Sequence, residues 1–275
     1  MVGLHDDVVE EEIKDFLQPL YAESVFSKLG LRMYSGLPMG DIRVPAMTGG
    51  TAEWEYENAD AEFTSNEFSS VILKPKRITA YIDISKMLIA QDTLNVESMI
   101  RRDLYNALMS KVQKTFLGSA AGTAYKPAGI FYNVTPENIT SYAELCEMEA
   151  NVADSNLGGA KKYLMDNHAY AVLRSMPKSV LTNQLTLTNG NVDGTEIITS
   201  SDVATNNYAY GAWDSIVFGS WGDVDLIIDP YTQARKGAVR LVINAYFDWA
   251  KTRESEGVMA YGTITEPELI DSSNG

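Results

Sequence analysis

Residues 95–117 carry a single apolar stripe at helical spacing: Val96, Ile100, Leu104, Ala107, Leu108, Val112 and Phe116. Asn95 is a fair N-cap with Glu97 in the first turn. Glu97 and Arg101 form an i, i+4 pair, and Gly118 ends the run. At about 1.5 Å per residue the predicted helix is on the order of 35 Å long. A rod of that length is a spine, and the other elements must be arranged along it.

Upstream, residues 5–18 read as an amphipathic helix with Val9, Ile13, Phe16, Leu17 and Leu20 on its apolar face and Pro19 as its stop. Residues 24–49 are punctuated by Gly and Pro yet rich in Leu, Met, Ile and Val, which predicts an extended arm threading over other structure. Residues 51–85 alternate. Trp54 and Tyr56 sit between Glu53, Glu55 and Glu57, and a second stretch runs Phe68, Val71, Leu73, Ile78, Tyr81, Ile82, Ile84. The pattern predicts a long β-hairpin. Its far part, 51–69, holds Glu53, Glu55, Glu57, Asp60, Glu62 and Glu67 and no basic residue. A two-stranded ribbon is marginal alone in water, so it needs a surface to lie on.

Downstream, helices are predicted at 141–152 and 167–175 and a buried strand at 162–165. Short apolar segments follow at 197–198 and 208–212. Strands are predicted at 216–218, 224–228, 239–249 and 258–265, giving an α+β chain.

Charge sorts the partners. The net charge of -15 argues against wrapping nucleic acid, which requires Lys and Arg to displace phosphate counterions. The charge is also uneven. Residues 1–70 hold fourteen acids against four bases, whereas residues 71–114 hold eight bases against four acids. Such polarity predicts that one part meets another, within a subunit or between subunits. One cysteine, Cys146, excludes an intrachain disulfide framework and a Cys-based zinc cluster. The acidic N-terminus lacks a secretory pattern, and no apolar run approaches the roughly 18 residues of a membrane-spanning helix. These features predict a soluble protein made in a cytoplasm.

The motifs with possible chemistry have plainer readings. Gly118-Ser-Ala-Ala-Gly122 follows a helix and lacks Gly-Lys-Ser/Thr, unlike a phosphate loop. Asn189-Gly190-Asn191-Val192-Asp193-Gly194 has the alternate oxygens of a calcium loop but Ser200 where a bidentate carboxylate belongs. Its two Gly-containing dipeptides predict turns. Lys74-Pro75-Lys76-Arg77 lies in a strand pattern and reads as a solvated or partner-facing strand. His168 reads as a surface or packing histidine, and Cys146 as a buried inert thiol. No catalytic residue, metal ligand or cofactor is expected.

The run 68–133 carries a resemblance. It reads Phe68, then Leu73-Lys-Pro-Lys-Arg, Tyr81-Ile-Asp-Ile-Ser85-Lys-Met-Leu, Gln91-Asp-Thr and the long helix. It closes on Phe116-Leu-Gly and Lys126-Pro-Ala-Gly-Ile-Phe-Tyr-Asn133. That order resembles the major capsid proteins of tailed bacteriophages, which share the HK-ninety-seven fold, and the likeness extends over nearly the whole chain. It implies an N-terminal arm over 1–50 and an extended β-hairpin loop over 51–80. It implies a peripheral domain over 81–140 and 215–270, with spine helix 95–117, and an axial domain over 141–214. It also implies hexamers and pentamers of an icosahedral head enclosing double-stranded DNA that is not specifically bound. Scaffolding, portal and decoration proteins are further partners, with assembly in the bacterial host cytoplasm. An N-terminal scaffolding segment of useful length is not read ahead of the arm, so a mature form or a separate scaffold is expected. The alternative is an encapsulin-type shell packaging a cargo enzyme; a soluble hydrolase with an acidic cleft has only abundant carboxylates behind it.

Two expectations follow from joining the resemblance to the residues. Some relatives cross-link a Lys near the loop tip to a neighbour's Asn, but no Lys lies between Lys28 and Lys74, so no covalent mesh by that route is expected. The acidic ribbon, including Trp54 and Tyr56, is expected to dock on a neighbour's basic surface. Lys74, Lys76, Arg77, Arg101, Arg102, Lys111 and Lys114 are the candidates for that surface.

Overall fold

The computed structural model describes residues 25–47, 54, 68–90, 96–154, 158–179, 184–252 and 258–265. The predicted helix at 5–18 and most of the far ribbon lie outside them. In chain order the helices are α1 (Val25–Leu29), α2 (Lys86–Ala90), α3 (Val96–Phe116), α4 (Tyr142–Ala153) and α5 (Asn167–Ser175). The strands are β1 (Arg32–Leu37), β2 (Ile42–Met47), β3 (Phe68–Leu73), β4 (Lys76–Ser85), β5 (Pro136–Ile139), β6 (Lys161–Met165), β7 (Leu187–Thr188), β8 (Asn191–Val192), β9 (Ile197–Thr199), β10 (Asn207–Ala212), β11 (Ile216–Asp229), β12 (Ala238–Lys251) and β13 (Met259–Ile264).

Two sheets carry the molecule. The first has the order β1-β11-β12-β4, with β1 parallel to β11 and the other pairs antiparallel. Strand β4 alternates between half-buried and exposed positions, as expected for a sheet covered on one face. That covered face packs on α3, whose buried residues are Leu104, Tyr105, Leu108, Met109, Val112 and Phe116. The predicted stripe is rotated slightly: Ala107 is exposed, and Tyr105 and Met109 take its place. Larger side chains on the adjacent row recover more apolar area than an alanine does.

The second sheet, β5-β13-β10-β6-β9, divides its side chains by strand alternation. Leu164, Ile198 and Ala209 face the core shared with α3, whereas Tyr163, Met165, Tyr208 and Tyr210 face α4 and α5. Every residue of β10 is buried, which suits a central strand with both faces covered.

The arm is anchored rather than loose. Phe26 of α1 is fully buried against Phe116 and Phe218, at ring separations of 5.0 and 4.9 Å. Beyond it β1 becomes an edge strand, and Trp221 Nε1 donates to Gly40 O at 2.9 Å across the following turn. Sequence reading predicted a hairpin over 51–85, and the pairing differs. Strand β3 pairs with β2, from Ile42 opposite Leu73 to Met47 opposite Phe68, while β4 leaves to pair with β12. Pro75 separates the two strands; it has no N–H for a ladder, so the chain changes partners there. Likewise β11 is one strand where two were predicted. Its register shifts between Trp221 and Asp225, where Gly222 takes φ +61, and the bulge breaks the alternation that the sequence displays.

Candidate inter-subunit surfaces

Asp248, on β12, is 5% exposed and organises the basic turn. Its Oδ2 accepts the Lys74 backbone N–H at 2.9 Å, and its Oδ1 accepts Lys76 Nζ at 3.2 Å. A buried carboxylate needs such partners. Together they pin the β3–β4 turn to the middle of the first sheet. Just above, Val44 and Leu73 of the hairpin base bury against Val217 and Trp221 of β11. The hairpin therefore stands on the sheet through both an apolar patch and a buried ion pair.

The basic candidates separate into groups. Lys76 is committed to Asp248 within the same chain. Lys114 lies 3.7 Å from Asp202, which ties α3 to the turn before β10. Lys74 Nζ lies 3.7 Å from Asp41 with both side chains well exposed, a pair of little energetic weight. Arg101 is half-buried; Arg77, Arg102 and Lys111 are exposed. Of the ribbon, Glu53, Glu55, Tyr56, Glu57, Asp60, Glu62 and Glu67 lie outside the described residues. Trp54 is described, and its side chain is fully exposed at 103%.

Sequence reasoning missed the loop after α3. Residues 118–131 fold back on the helix end: Ile130 N–H donates to Phe116 O at 2.8 Å and Gly129 N–H to Ala120 O at 2.9 Å. A Cβ on Gly122 would lie 2.9 Å from Ala128 N and one on Gly129 1.9 Å from Gly118 O, so these glycines serve close backbone approach rather than a phosphate loop. The loop brings exposed Tyr125 and Lys126 beside Arg77 and Lys111, over a floor of Phe247 and Trp249. Trp249 Nε1 closes it by donating to Ala128 O at 2.6 Å. No periodicity links residue 126 to residue 77; only the fold does.

The remaining motifs are explained locally. Asn189-Gly190 and Asp193-Gly194 all take positive φ, as tight turns require. Asp193 accepts from Tyr142 Oη and pairs with Lys178, and these contacts hold its carboxyl below the usual range. His168 is exposed at the start of α5, where Asp166 caps the helix by accepting the His168 N–H at 3.1 Å. Cys146 is exposed on α4, contrary to the buried thiol expected. It lies beside Leu145, which takes the fully buried position of that helix.

The "Phage capsid family" model matches residues 7–259. The chain belongs to the phage capsid family. It is 25% identical over 80% of its length to the major capsid protein of Halomonas phage phiHAP-1, of which it covers 37%. It is 31% identical over 50% of its length to the major capsid protein of Klebsiella oxytoca phage phiKO2, of which it covers 30%. The chain thus spans about a third of the length of these capsid relatives. Among solved structures, the capsid of the native GTA particle is similar at a TM-score of 0.68 and 11% identity, covering 88% of this chain and 91% of that one. The likeness is one of fold: an α+β, HK-ninety-seven-like capsid architecture.

Proposed function

We propose that this capsid-family chain is a non-catalytic shell subunit, its copies assembling as hexamers and pentamers into an icosahedral phage head around double-stranded DNA. The observation that carries the reading is the family match over residues 7–259. The shared fold over 88% of the chain supports it. Within that reading residues 1–50 act as the arm and 51–80 as the extended loop. Residues 81–140 and 215–270 form the peripheral domain, and 141–214 the axial domain. The acidic ribbon and the basic residues near the spine helix form the contact between neighbours. Such a subunit is assembled in the host cytoplasm, resides in the virion, and meets scaffolding, portal and decoration proteins. The capsid relatives named above favour DNA over an enzyme cargo. Negative-stain microscopy of the purified protein tests the proposal. Closed shells or rings of five and six are expected; a lone compact particle at high concentration would overturn it.

A further inference from the structure

Strand β4 is an edge of the first sheet, and its outer side is unpaired among the described residues. Its ladder with β12 runs through ten consecutive pairs, from Lys76 opposite Phe247 to Ser85 opposite Ala238, with no shift of register. Alternate residues of an antiparallel strand bond to each neighbour, so about five residues of β4 direct N–H and C=O groups away from β12. Sheet edges are ordinarily blunted by a proline, a bulge or a charge in mid-strand. Strand β4 has none of these: no Pro or Gly lies within 76–85, and Ile78-Thr79-Ala80-Tyr81-Ile82 carries no charge. The opposite edge, β1, is blunted, because its register on β11 shifts between Tyr34 and Leu37 and Gly36 takes φ +68. A groove of about 230 Å³ between the C-terminal half of α3, the 125–127 loop and the β4–β12 pair is lined by residues 76–79, so the first half of the β4 edge is open.

The strand is also complementary to itself. Arg77, Thr79, Tyr81 and Asp83 are exposed on one face, whereas Ile78, Ala80, Ile82 and Ile84 turn to the α3 side. Two antiparallel copies of β4 must keep like faces together, so a two-fold axis between them passes through a residue rather than between two. Centred on Ala80, the pairing sets Arg77 opposite Asp83, Ile78 opposite Ile82 and Thr79 opposite Tyr81, each twice. Opposite charges and matched apolar side chains are favourable cross-strand pairs. Centred on Tyr81, Arg77 meets Ser85; centred on Thr79, Asp83 meets Pro75. Arg77 has no ion-pair partner among the described residues, while Arg240 holds Asp83 in place at 2.7 and 2.9 Å.

We infer that β4 of a second copy adds to this edge about a two-fold axis at Ala80, joining two four-stranded sheets into one continuous sheet. Each Arg77 then reaches the Asp83 of the other copy, and each carboxylate is shared between that guanidinium and its own Arg240. The inference rests on the shell reading and deepens it: contacts around a ring of five or six are head-to-tail, and an isologous pair is a contact that ties one ring to the next.

Site-specific disulfides test the register. Facing residues of an antiparallel pair have Cα atoms about 4.5–5.5 Å apart, inside the range a disulfide bridges. Cys146 is exposed and is first replaced, as Cys146→Ser. In that background, oxidised particles made of Thr79→Cys copies alone, or of Tyr81→Cys copies alone, should run as single chains on a non-reducing denaturing gel. Particles co-assembled from the two kinds of copy should give dimers at twice the 30.3 kDa of the chain and nothing larger. Ala80→Cys alone should give dimers too, since that residue faces itself. Adding Arg77→Glu, which sets two carboxylates against each other, should remove the dimers. Mixed particles without dimers would overturn the pairing while leaving the shell reading intact. The absence of any particle from the unaltered chain would instead overturn the shell reading. Dimers from Thr79→Cys or Tyr81→Cys alone would move the axis off Ala80 and overturn the register, and undiminished dimers with Arg77→Glu would overturn the charge pairing.

Discussion

At the scale of single residues, the buried carboxylate of Asp248 and the half-buried one of Glu149 have opposite characters. Asp248 is satisfied by an ammonium and an amide N–H, so removing it strands Lys76 and opens the Lys74 amide. Asp248→Ala is predicted to cost about 3 kcal/mol in urea unfolding, the range for breaking a buried pair from one side. Asp248→Asn, which keeps an acceptor oxygen, is predicted to cost less. Glu149 is the contrary case. Burial raises its carboxyl above the usual glutamate range, and the hydrogen bond from Tyr163 Oη at 2.5 Å opposes part of that. Its folded state holds the proton more tightly than the unfolded chain does. Its contribution to stability is therefore full at low pH. It declines as pH rises from the ordinary glutamate value through the raised one. Urea midpoints taken at rising pH, starting from the ordinary glutamate value of about 4.3, should fall as pH rises. Glu149→Gln should flatten the slope. Tyr163→Phe, which removes the opposing hydrogen bond, should extend it to higher pH.

At the scale of elements, the loop after the spine helix depends on backbone meeting backbone. Gly129→Ala would force a methyl group against the Gly118 carbonyl, with no flexible side chain to yield. The predicted loss is about 2 kcal/mol, in the range for overpacking, read as a lower melting temperature together with a red shift of Trp249 emission. Gly158→Ala, which meets open space, is the matched control and should be nearly silent. Element boundaries were legible where one period ruled. Helices α3, α4 and α5 fall within about two residues of their predicted ranges, as boundary definitions allow. The hairpin was not legible, because alternation runs on through β3 and β4 and says nothing of which strand each one joins. Partner choice is a long-range property, decided by the Pro75 break and the Asp248 clamp.

At the scale of the whole molecule, the basic groove is built from four segments, three carrying the cations Arg77, Lys111 and Lys126 and the fourth supplying the Phe247 and Trp249 floor. Two of those cations were candidates from the charge map; Lys126 was not, since its segment reads as an isolated turn. The ribbon's composition bears on the assembled state as well. Residues 51–69 contain no lysine, so an isopeptide bond from that ribbon has no amine to form it. Assembled particles dissolved in denaturant and run on a gel are predicted to migrate at the 30.3 kDa of the single chain; a ladder of covalent multimers would contradict this.

Periodicity, turn chemistry and charge count are local quantities, and from them alone the chain declared its long helix, its α+β class, its acidic ribbon and the absence of a lysine there. Which strand pairs with β4, why Asp248 is buried and how Lys126 comes to stand beside Arg77 were decided only by the folded backbone. Each depends on residues a hundred or more positions apart, or on a loop that folds back, and only the packed core brings such residues within reach.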